Sequence, residues 1–441
     1  MPEPRLRLPR VEGQTRARMS YDETVQFLYS LGNEVRAAKL GLERMTVLLE
    51  RLGSPHRECA WVHVAGTNGK GSTCAMIESG LRAAGLRTGL YTSPHLSQPV
   101  ERIRIAGQPV TREQFAAAFQ PVHEAAERLM AEGLLEAHPT YFETVTAMAF
   151  LLFRDLGAGI VALEVGLGGR LDATNVVTPR LAVITPVDFD HESFLGKSLE
   201  SIAAEKAGIL KRGVPAVFAA QRRQVATTLE AHAAALGIEP IRTSLWQVRD
   251  LALDREGSRF LATGPKDLRI ECPLAGEHQV ENALTALTAL DALGLPPEAI
   301  RDGIRQTRWP GRLERVSEAP EIILDGAHNP AGARALARYI ERFFAGRRVW
   351  LIYGAMRDKA VAEMAGILFP LAHQVILTAP AQARAVRPEV LRELVDHPRL
   401  RAVPRLAEAL DIVRQEAAPE DAVFISGSLF LAGEARSLLV V

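Results

Sequence analysis

The chain has 441 residues, with 52 Lys plus Arg against 52 Asp plus Glu, so its formal net charge is zero. A chain so balanced does not hold nucleic acid or another polyanion through bulk charge, and 24% charged against 47% hydrophobic residues is the composition of a folded protein, not a disordered one. The length predicts two domains or three, while three cysteines without a CxxC pair argue against a disulfide framework or a cysteine-rich zinc site and fit a reducing cytosol.

The N-terminal segment MPEPRLRLPRVEGQTRAR is basic and lacks an apolar core. It reads as a frayed arm rather than a secretory signal. Ser20 and Glu23 have capping-box spacing before VQFLYSL, which predicts a helix from residue 21. Residues 61–65 predict a strand that runs into Gly66-Thr67-Asn68-Gly69-Lys70-Gly71-Ser72-Thr73, with a helix over 73–84 closed by Gly85. A strand is expected at 88–92, and apolar spacing predicts helices over 113–132 and 142–156. The most apolar run, 145–153, is too short to span a bilayer. Residues 160–165 and 181–185 are apolar and bounded by Gly and Pro, as buried parallel strands are. Strands alternating with helices predict an α/β layered sheet.

Residues 245–272 are less regular and read as a β-rich insert. The pattern breaks at Thr307-Arg-Trp-Pro-Gly-Arg312. That break predicts an N-terminal unit over 1–306, a linker at 307–312 and a C-terminal unit over 313–441. Strands at 322–325, 349–353, 375–378 and 422–426 predict a smaller Rossmann-like domain there. No internal repeat or low-complexity segment stands out.

GTNGKGST between a strand and a helix has the make-up of a phosphate cradle. Glycines let backbone N–H groups turn inward, and a helix N-terminus adds its positive dipole end. Lys70 can reach the β- and γ-phosphates, and Ser72 can offer a hydroxyl to Mg²⁺. Gly71 separates Lys70 from Ser72, a departure from G-x-x-x-x-G-K-[ST]. Glu164 ends a buried strand and is followed by glycines in LEVGLGGR. A carboxylate there serves a cation or forms a strand-end salt bridge, and the glycines suggest close backbone approach to a ligand. His191, beside Asp190 at the end of the next strand, reads as a metal ligand with an outer carboxylate.

Lys206 in AEKAG reads, on its own, as a solvated helix lysine paired with Glu205. Only seven of the basic residues are lysines, at 39, 70, 197, 206, 211, 266 and 359. In a chain that uses Arg by default, each hints at a place where guanidinium chemistry will not serve. Ser93 in YTSPHL offers a hydroxyl to a cation or substrate, or lies in an ordinary βα loop. Arg312 is placed to reach across to a phosphate. Asp325 in DGAHNP sits where Rossmann-type sheets hold ribose or adenine, with His328 facing the same crevice; either could instead cap the next helix.

GTNGKGST, YTSPHL, TYFE, LEVGLGGRLDATN, DFDH, EKAG, PGRLE, DGAHNP and ISGSLFLAGEAR follow in one order along the chain. That series resembles folylpolyglutamate synthase, often bifunctional with dihydrofolate synthase, in the Mur ligase superfamily. The resemblance implies a P-loop-containing Mur-ligase-like domain with a smaller C-terminal Rossmann-like α/β domain and ATP between them. It implies ATP contacts from Gly66 to Thr73 and from Asn282, Arg312 and Asp325. It implies two Mg²⁺ sites drawing on Ser93, Glu164 and His191, with Ser72 beside the ATP phosphates.

Lys206 matches the family's carbamylated lysine, a modification open to an amine but not a guanidinium. The pterin is expected near Leu40, Gly41, Thr140, Tyr141, Phe142, Glu143, Leu171, Asp172 and Ala173. Arg312, His328 and Ser428 match positions for the incoming glutamate, and Lys70, Lys206, His191, Glu164 and His328 the catalytic set. The implied reaction joins L-glutamate to tetrahydrofolate or dihydropteroate through an acyl phosphate, releasing ADP and phosphate. The implied enzyme is a cytoplasmic monomer with no nucleic-acid or membrane partner. A cell-wall Mur ligase would carry a further N-terminal domain, for which the 65 residues before Gly66 are too few. A nucleotide-binding regulator would not need Lys70, Glu164, His191 and Lys206 together.

Overall fold

The computed structural model describes residues 19–32 and 41–440; the basic N-terminal arm, Lys39 and Leu40 lie outside them. The first sheet has eight strands: β1 (Ala60–Ala65), β2 (Thr88–Tyr91), β3 (Ile103–Ile105), β4 (Gln108–Pro109), β5 (Ile160–Glu164), β6 (Leu181–Ile184), β7 (Ala216–Phe218) and β8 (Ile241–Arg242), in the order β4-β3-β2-β5-β1-β6-β7-β8. β1 lies in parallel between β5 and β6, and β2 runs parallel beside β5. Side chains alternate across β1. Val62 and Val64 enter the core shared with helix Lys70–Ala83 and helix His278–Ala292, whereas Trp61 packs on helix Tyr141–Asp155.

The insert is an antiparallel sheet of β9 (Gln247–Leu253), β10 (Ser258–Thr263) and β11 (Leu268–Cys272). Phe260, Ala262, Leu268 and Ile270 join the same core as Val62 and Val64. The third sheet contains β12 (Glu314–Glu318), β13 (Glu321–Leu324), β14 (Val349–Tyr353), β15 (Gln374–Leu377), β16 (Leu400–Ala402) and β17 (Ala422–Ser426), ordered β12-β13-β17-β14-β15-β16. All pairs but β12–β13 are parallel.

The strands expected from apolar runs are present within a residue of their expected ends. The short strands β3, β4, β12 and β16 carry no fully apolar run and escape a reading by hydrophobicity. The helix expected from residue 73 begins at Lys70, because Gly69 turns at φ +84° and releases the chain straight into it. The helix at Tyr21 opens on the Ser20–Glu23 capping box as the spacing predicts.

Helix Lys70–Ala83 is held from behind by helix Pro297–Gln306, through a glycine pair. A Cβ on Gly303 would overlap the Gly80 backbone, whereas one on Gly366 meets nothing within 4 Å. Gly303→Ala is therefore expected to destabilise the protein by about 1–3 kcal/mol, and Gly366→Ala to be neutral or mildly stabilising. Urea unfolding midpoints of the two variants, read side by side, check this.

Candidate active site

The strand order places the ends of β2, β5, β1 and β6 side by side, the edge where open α/β sheets bind ligands. From them emerge Ser93, Glu164, the Gly66–Thr73 loop and the segment ending at His191. Thr67 and Asn68 N–H groups donate to the Pro186 carbonyl (3.0 and 3.2 Å), and Thr67 Oγ1 donates to the Asp188 carbonyl (2.9 Å). Gly69 carries no capping side chain, so the first turn of helix Lys70–Ala83 has no side-chain acceptor for its N–H groups. Helices starting at Tyr21, Arg112 and Tyr141 have one, and those starting at Glu43, Arg223 and His278 also lack one.

A side chain at Gly69 would collide with Asn282, and one at Gly71 would lie 3.0 Å from Trp309. Asn282 is tied to the loop through Gln279: Asn282 Nδ2 donates to Gln279 Oε1 (2.9 Å) and Gln279 Nε2 to Ser72 Oγ (3.4 Å). Lys70 Nζ donates to the Thr67 carbonyl (3.2 Å).

Glu164 is buried and accepts the Ser93 N–H (3.0 Å). It makes no side-chain ion pair among the described residues. Burial pushes its carboxyl up, against Lys70 and the Ser93 N–H. Lys206 is equally buried, which corrects the solvated reading. Its neighbour Glu205 pairs with Arg170 (2.8 Å), while Lys206 Nζ donates to the Gly66 carbonyl (2.8 Å). Burial, with Lys70 adding to it, pulls this amine down to about 7.

The glycines after Glu164 lie close against the protein itself. Cβ atoms at Gly166 and Gly169 would meet Phe142 (2.5 Å) and the Glu205 carbonyl (2.8 Å), and Gly168 turns at φ +69°. They accommodate the protein's own packing.

The C-terminal half brings its residues to the same place. Asp325 Oδ1 accepts from Ala327 N–H (2.9 Å) and Oδ2 from Leu313 N–H (3.1 Å), which joins the 307–313 segment to the end of β13. Arg312 lies against Gly326 and feels both Asp325 and Glu164. Neither Asp325 nor His328 caps the following helix; Asn329 does, accepting from Gly332 N–H (2.9 Å). Ser428 is buried and caps helix Leu429–Leu439.

The two halves meet at Asp190. Its oxygens accept from Lys359 Nζ (2.6 Å) and Asn329 Nδ2 (3.1 Å), and His328 Nε2 lies 3.5 Å away. Asn329 also donates to Asn68 Oδ1 (3.0 Å). Burial opposes ionisation of Asp190, but His328, Lys359 and His191 outweigh it and hold the carboxyl well below its ordinary range. His191 faces Lys359 (3.3 Å), and burial pulls its imidazole down to about 4. Lys359, Asn329, Gln279 and Trp309 were not singled out from the sequence for these contacts. The lysine scarcity that marks Lys206 marks Lys359 equally.

The segment expected to hold a pterin lies further along the edge. Thr140 and Glu143 form the capping box of helix Tyr141–Asp155, and Glu143 pairs with Arg44 (3.0 Å). Tyr141 stacks on Tyr29 (5.7 Å) under the Arg102 guanidinium (5.0 Å). Phe142 packs on Gly166, two residues past Glu164. Asp172 is buried and accepts Leu167 and Thr174 N–H groups (2.8 and 3.0 Å), shaping the turn that holds Leu171 and Ala173. Gly41 opens the segment before Arg44, and Leu40 lies outside the described residues.

The donor set fits Mg²⁺. Glu164 is a buried carboxylate with no cationic partner in contact among the described residues, and Ser72 and Ser93 offer hard oxygens. His191 is the less usual donor for a hard ion.

A glycine loop at a helix start, buried charges in front of it and a second α/β unit packed against it suit a Mur-type ligase. Residues 64–290 match the Mur ligase middle domain and residues 311–429 the Mur ligase glutamate ligase domain. The chain is 35% identical to the dihydrofolate synthase/folylpolyglutamate synthase of Mycobacterium tuberculosis, covering 90% of this chain and 89% of that one. It is 36% identical to the folylpolyglutamate synthase of Lacticaseibacillus casei, covering 96% and 99%.

Among solved structures, Mycobacterium tuberculosis folylpolyglutamate synthase complexed with ADP superposes with a TM-score of 0.89 at 34% identity, covering 95% of this chain and 98% of that one. The Escherichia coli FolC structure in complex with DHPP and ADP gives 0.84 at 33%, covering 94% and 97%. The chain belongs to the dihydrofolate synthase/folylpolyglutamate synthase family of Mur ligases.

The low Lys206 value has a signed consequence. Between about 7 and the ordinary 10.5, the unfolded chain holds a proton on this amine that the folded chain has lost, so stability rises with pH across that window. Lys206→Met removes this dependence. In bicarbonate-free buffer its unfolding midpoint relative to the native chain is expected to be most favourable at pH 6 and to decline towards pH 9. A constant difference would contradict the burial of a titrating amine.

Proposed function

We propose that this chain is an ATP-dependent ligase that joins L-glutamate to reduced folates and to dihydropteroate, with ATP as co-substrate. The observation that carries this reading is the uncapped, glycine-started helix at Lys70. Buried Glu164 and Lys206 lie in front of it, and Asp190 is bound across the cleft by Lys359 and Asn329. The relatives' activities and the ADP-bound neighbours agree with it.

The Gly66–Thr73 backbone and Lys70 bind the ATP phosphates, with Asn282 bracing the loop and Arg312 and Asp325 on the nucleotide side. A folate carboxylate oxygen attacks the γ-phosphorus, the bond to the β-phosphate oxygen breaks, and ADP leaves. Lys70 offsets the charge that builds as anion meets anion. The glutamate amine then attacks the acyl carbon, phosphate departs, and the amine proton is lost to solvent or base. His328 and Ser428 lie where the glutamate enters. Ser72, Ser93, Glu164 and His191 would hold Mg²⁺, two ions in all, which supply charge neutralisation on the transferring phosphoryl group.

Lys206, whose amine is pulled down to about 7 and so has a substantial uncharged fraction near neutrality, adds to CO₂ and releases a proton, giving a carbamate. The pterin lies against Tyr141, Phe142 and the 171–173 turn, with Gly41, Thr140 and Glu143 bordering it.

In this reading residues 1–306 form the ATP- and pterin-binding unit, 307–312 the linker and 313–441 the glutamate-ligase unit. Both sides of the cleft come from one polypeptide, which supports a monomer as the working unit. Three free cysteines support a cytoplasmic location, and no helix among the described residues is long and apolar enough to cross a membrane.

Coupled ADP release with MgATP and L-glutamate tests the reading, with tetrahydrofolate in one arm and dihydropteroate in the other. Turnover in both arms is expected, with Lys70→Ala slower by about 10²–10³-fold. Turnover with tetrahydrofolate alone would restrict the chain to polyglutamylation. Turnover with neither would overturn the assignment.

A further inference from the structure

His123 and Glu127 are four residues apart on helix Arg112–Ala131 and so share one face. His138 comes back to that face from the loop that follows the helix. One ligand atom from each of the three lies within 4.8 Å of the other two.

The Pro139 carbonyl can only accept, so the His138 Nδ1 that lies 2.8 Å from it carries the proton. With its proton on Nδ1, His138 turns its Nε2 towards His123, and that nitrogen lies 3.4 Å from His123 Nδ1. Two nitrogens bound at ~2.05 Å to a tetrahedral zinc ion stand about 3.3 Å apart. The Pro139 carbonyl supplies the outer hydrogen bond that fixes ring and tautomer at metal-bound histidines. The rings are also held by packing: Phe119 stacks on His123 (5.3 Å), and the Phe27 ring meets His123 (4.7 Å) and His138 (5.5 Å). Glu127 is exposed, so its carboxylate reaches water.

We propose that His123, Glu127 and His138 bind a borderline divalent transition ion, Zn²⁺ in the first instance, with water as fourth ligand. Two imidazoles and one carboxylate select such an ion over Mg²⁺ or Ca²⁺. The site shares no residue with the nucleotide cleft. A bound ion clips the end of helix Arg112–Ala131 to the residues just before Thr140, where helix Tyr141–Asp155 is capped.

The test uses the tag-free, full-length chain, stripped with chelator and titrated with Co²⁺ in excess Mg²⁺. One equivalent should give the intense visible absorption of a tetrahedral Co²⁺ site, and Zn²⁺ should displace it. His123→Ala and His138→Ala should lose that absorption, and His191→Ala should keep it. Glu127→Gln, an exposed change that leaves the fold alone, should weaken Co²⁺ binding about tenfold or more, since even outer partners of a metal site cost that much. Absence of the absorption from the native chain would overturn the site and leave a His–His hydrogen bond. So would an absorption that survives His123→Ala, His138→Ala and Glu127→Gln but vanishes in His191→Ala.

Discussion

Charged side chains lie buried at the C-terminal edge of the first sheet and its partner with backbone groups as their hydrogen-bond partners. Glu164, Lys206 and Asp325 are 5%, 4% and 7% exposed, and each is met by peptide N–H or C=O groups. Such burial is costly in the empty protein. The surrounding cores hold the edge in place all the same: Val62, Val64 and helix Lys70–Ala83 on one face, Trp61 and helix Tyr141–Asp155 on the other. In the proposed function, a polyphosphate with its cations would supply the charges the edge lacks. The site is thus organised for its ligand at the expense of the free chain, as preorganised electrostatic catalysis requires.

The same principle joins the two halves. Asp190 ends the loop after β6, yet it is satisfied by Lys359, Asn329 and His328 from beyond residue 313. The Asp190 and Lys359 side chains are only 9% and 8% exposed, so this pair is not a surface ion pair of small effect. It places His328 and the end of β13 over the Gly66–Thr73 loop, which Asn329 also touches through Asn68. In the proposed function, such a contact across the cleft would help keep water from an acyl phosphate.

Much of this was legible in the sequence. The glycine loop between an apolar strand and the helix at Lys70 is legible in the order of its residues, Glu164 ends an apolar run, and His191 follows the next strand seven residues on. Lys206 is not legible as buried from its own helix, because neither that helix nor Glu205 betrays which way it points; the shortage of lysines hints at it, and the family resemblance singles it out. That hint applied to Lys359 as well, where the partner lies 169 residues away along the chain. The glycines after Glu164 mark a close approach, but a sequence does not say what their backbone approaches. Here it is Phe142 and the Glu205 carbonyl. Edge strands such as β12 and β16 escape for a simpler reason: half-exposed residues leave no apolar run to read.

Replacement of Glu164 by Gln bears most directly on the charged edge. The change keeps the shape and removes the buried charge. Melting temperatures of the native chain and Glu164→Gln would be compared with no ligand and with MgATP. A buried carboxylate kept for a cation predicts that the variant melts higher than the native chain when empty and gains less from MgATP. A variant that melts lower when empty and gains as much from MgATP would contradict it.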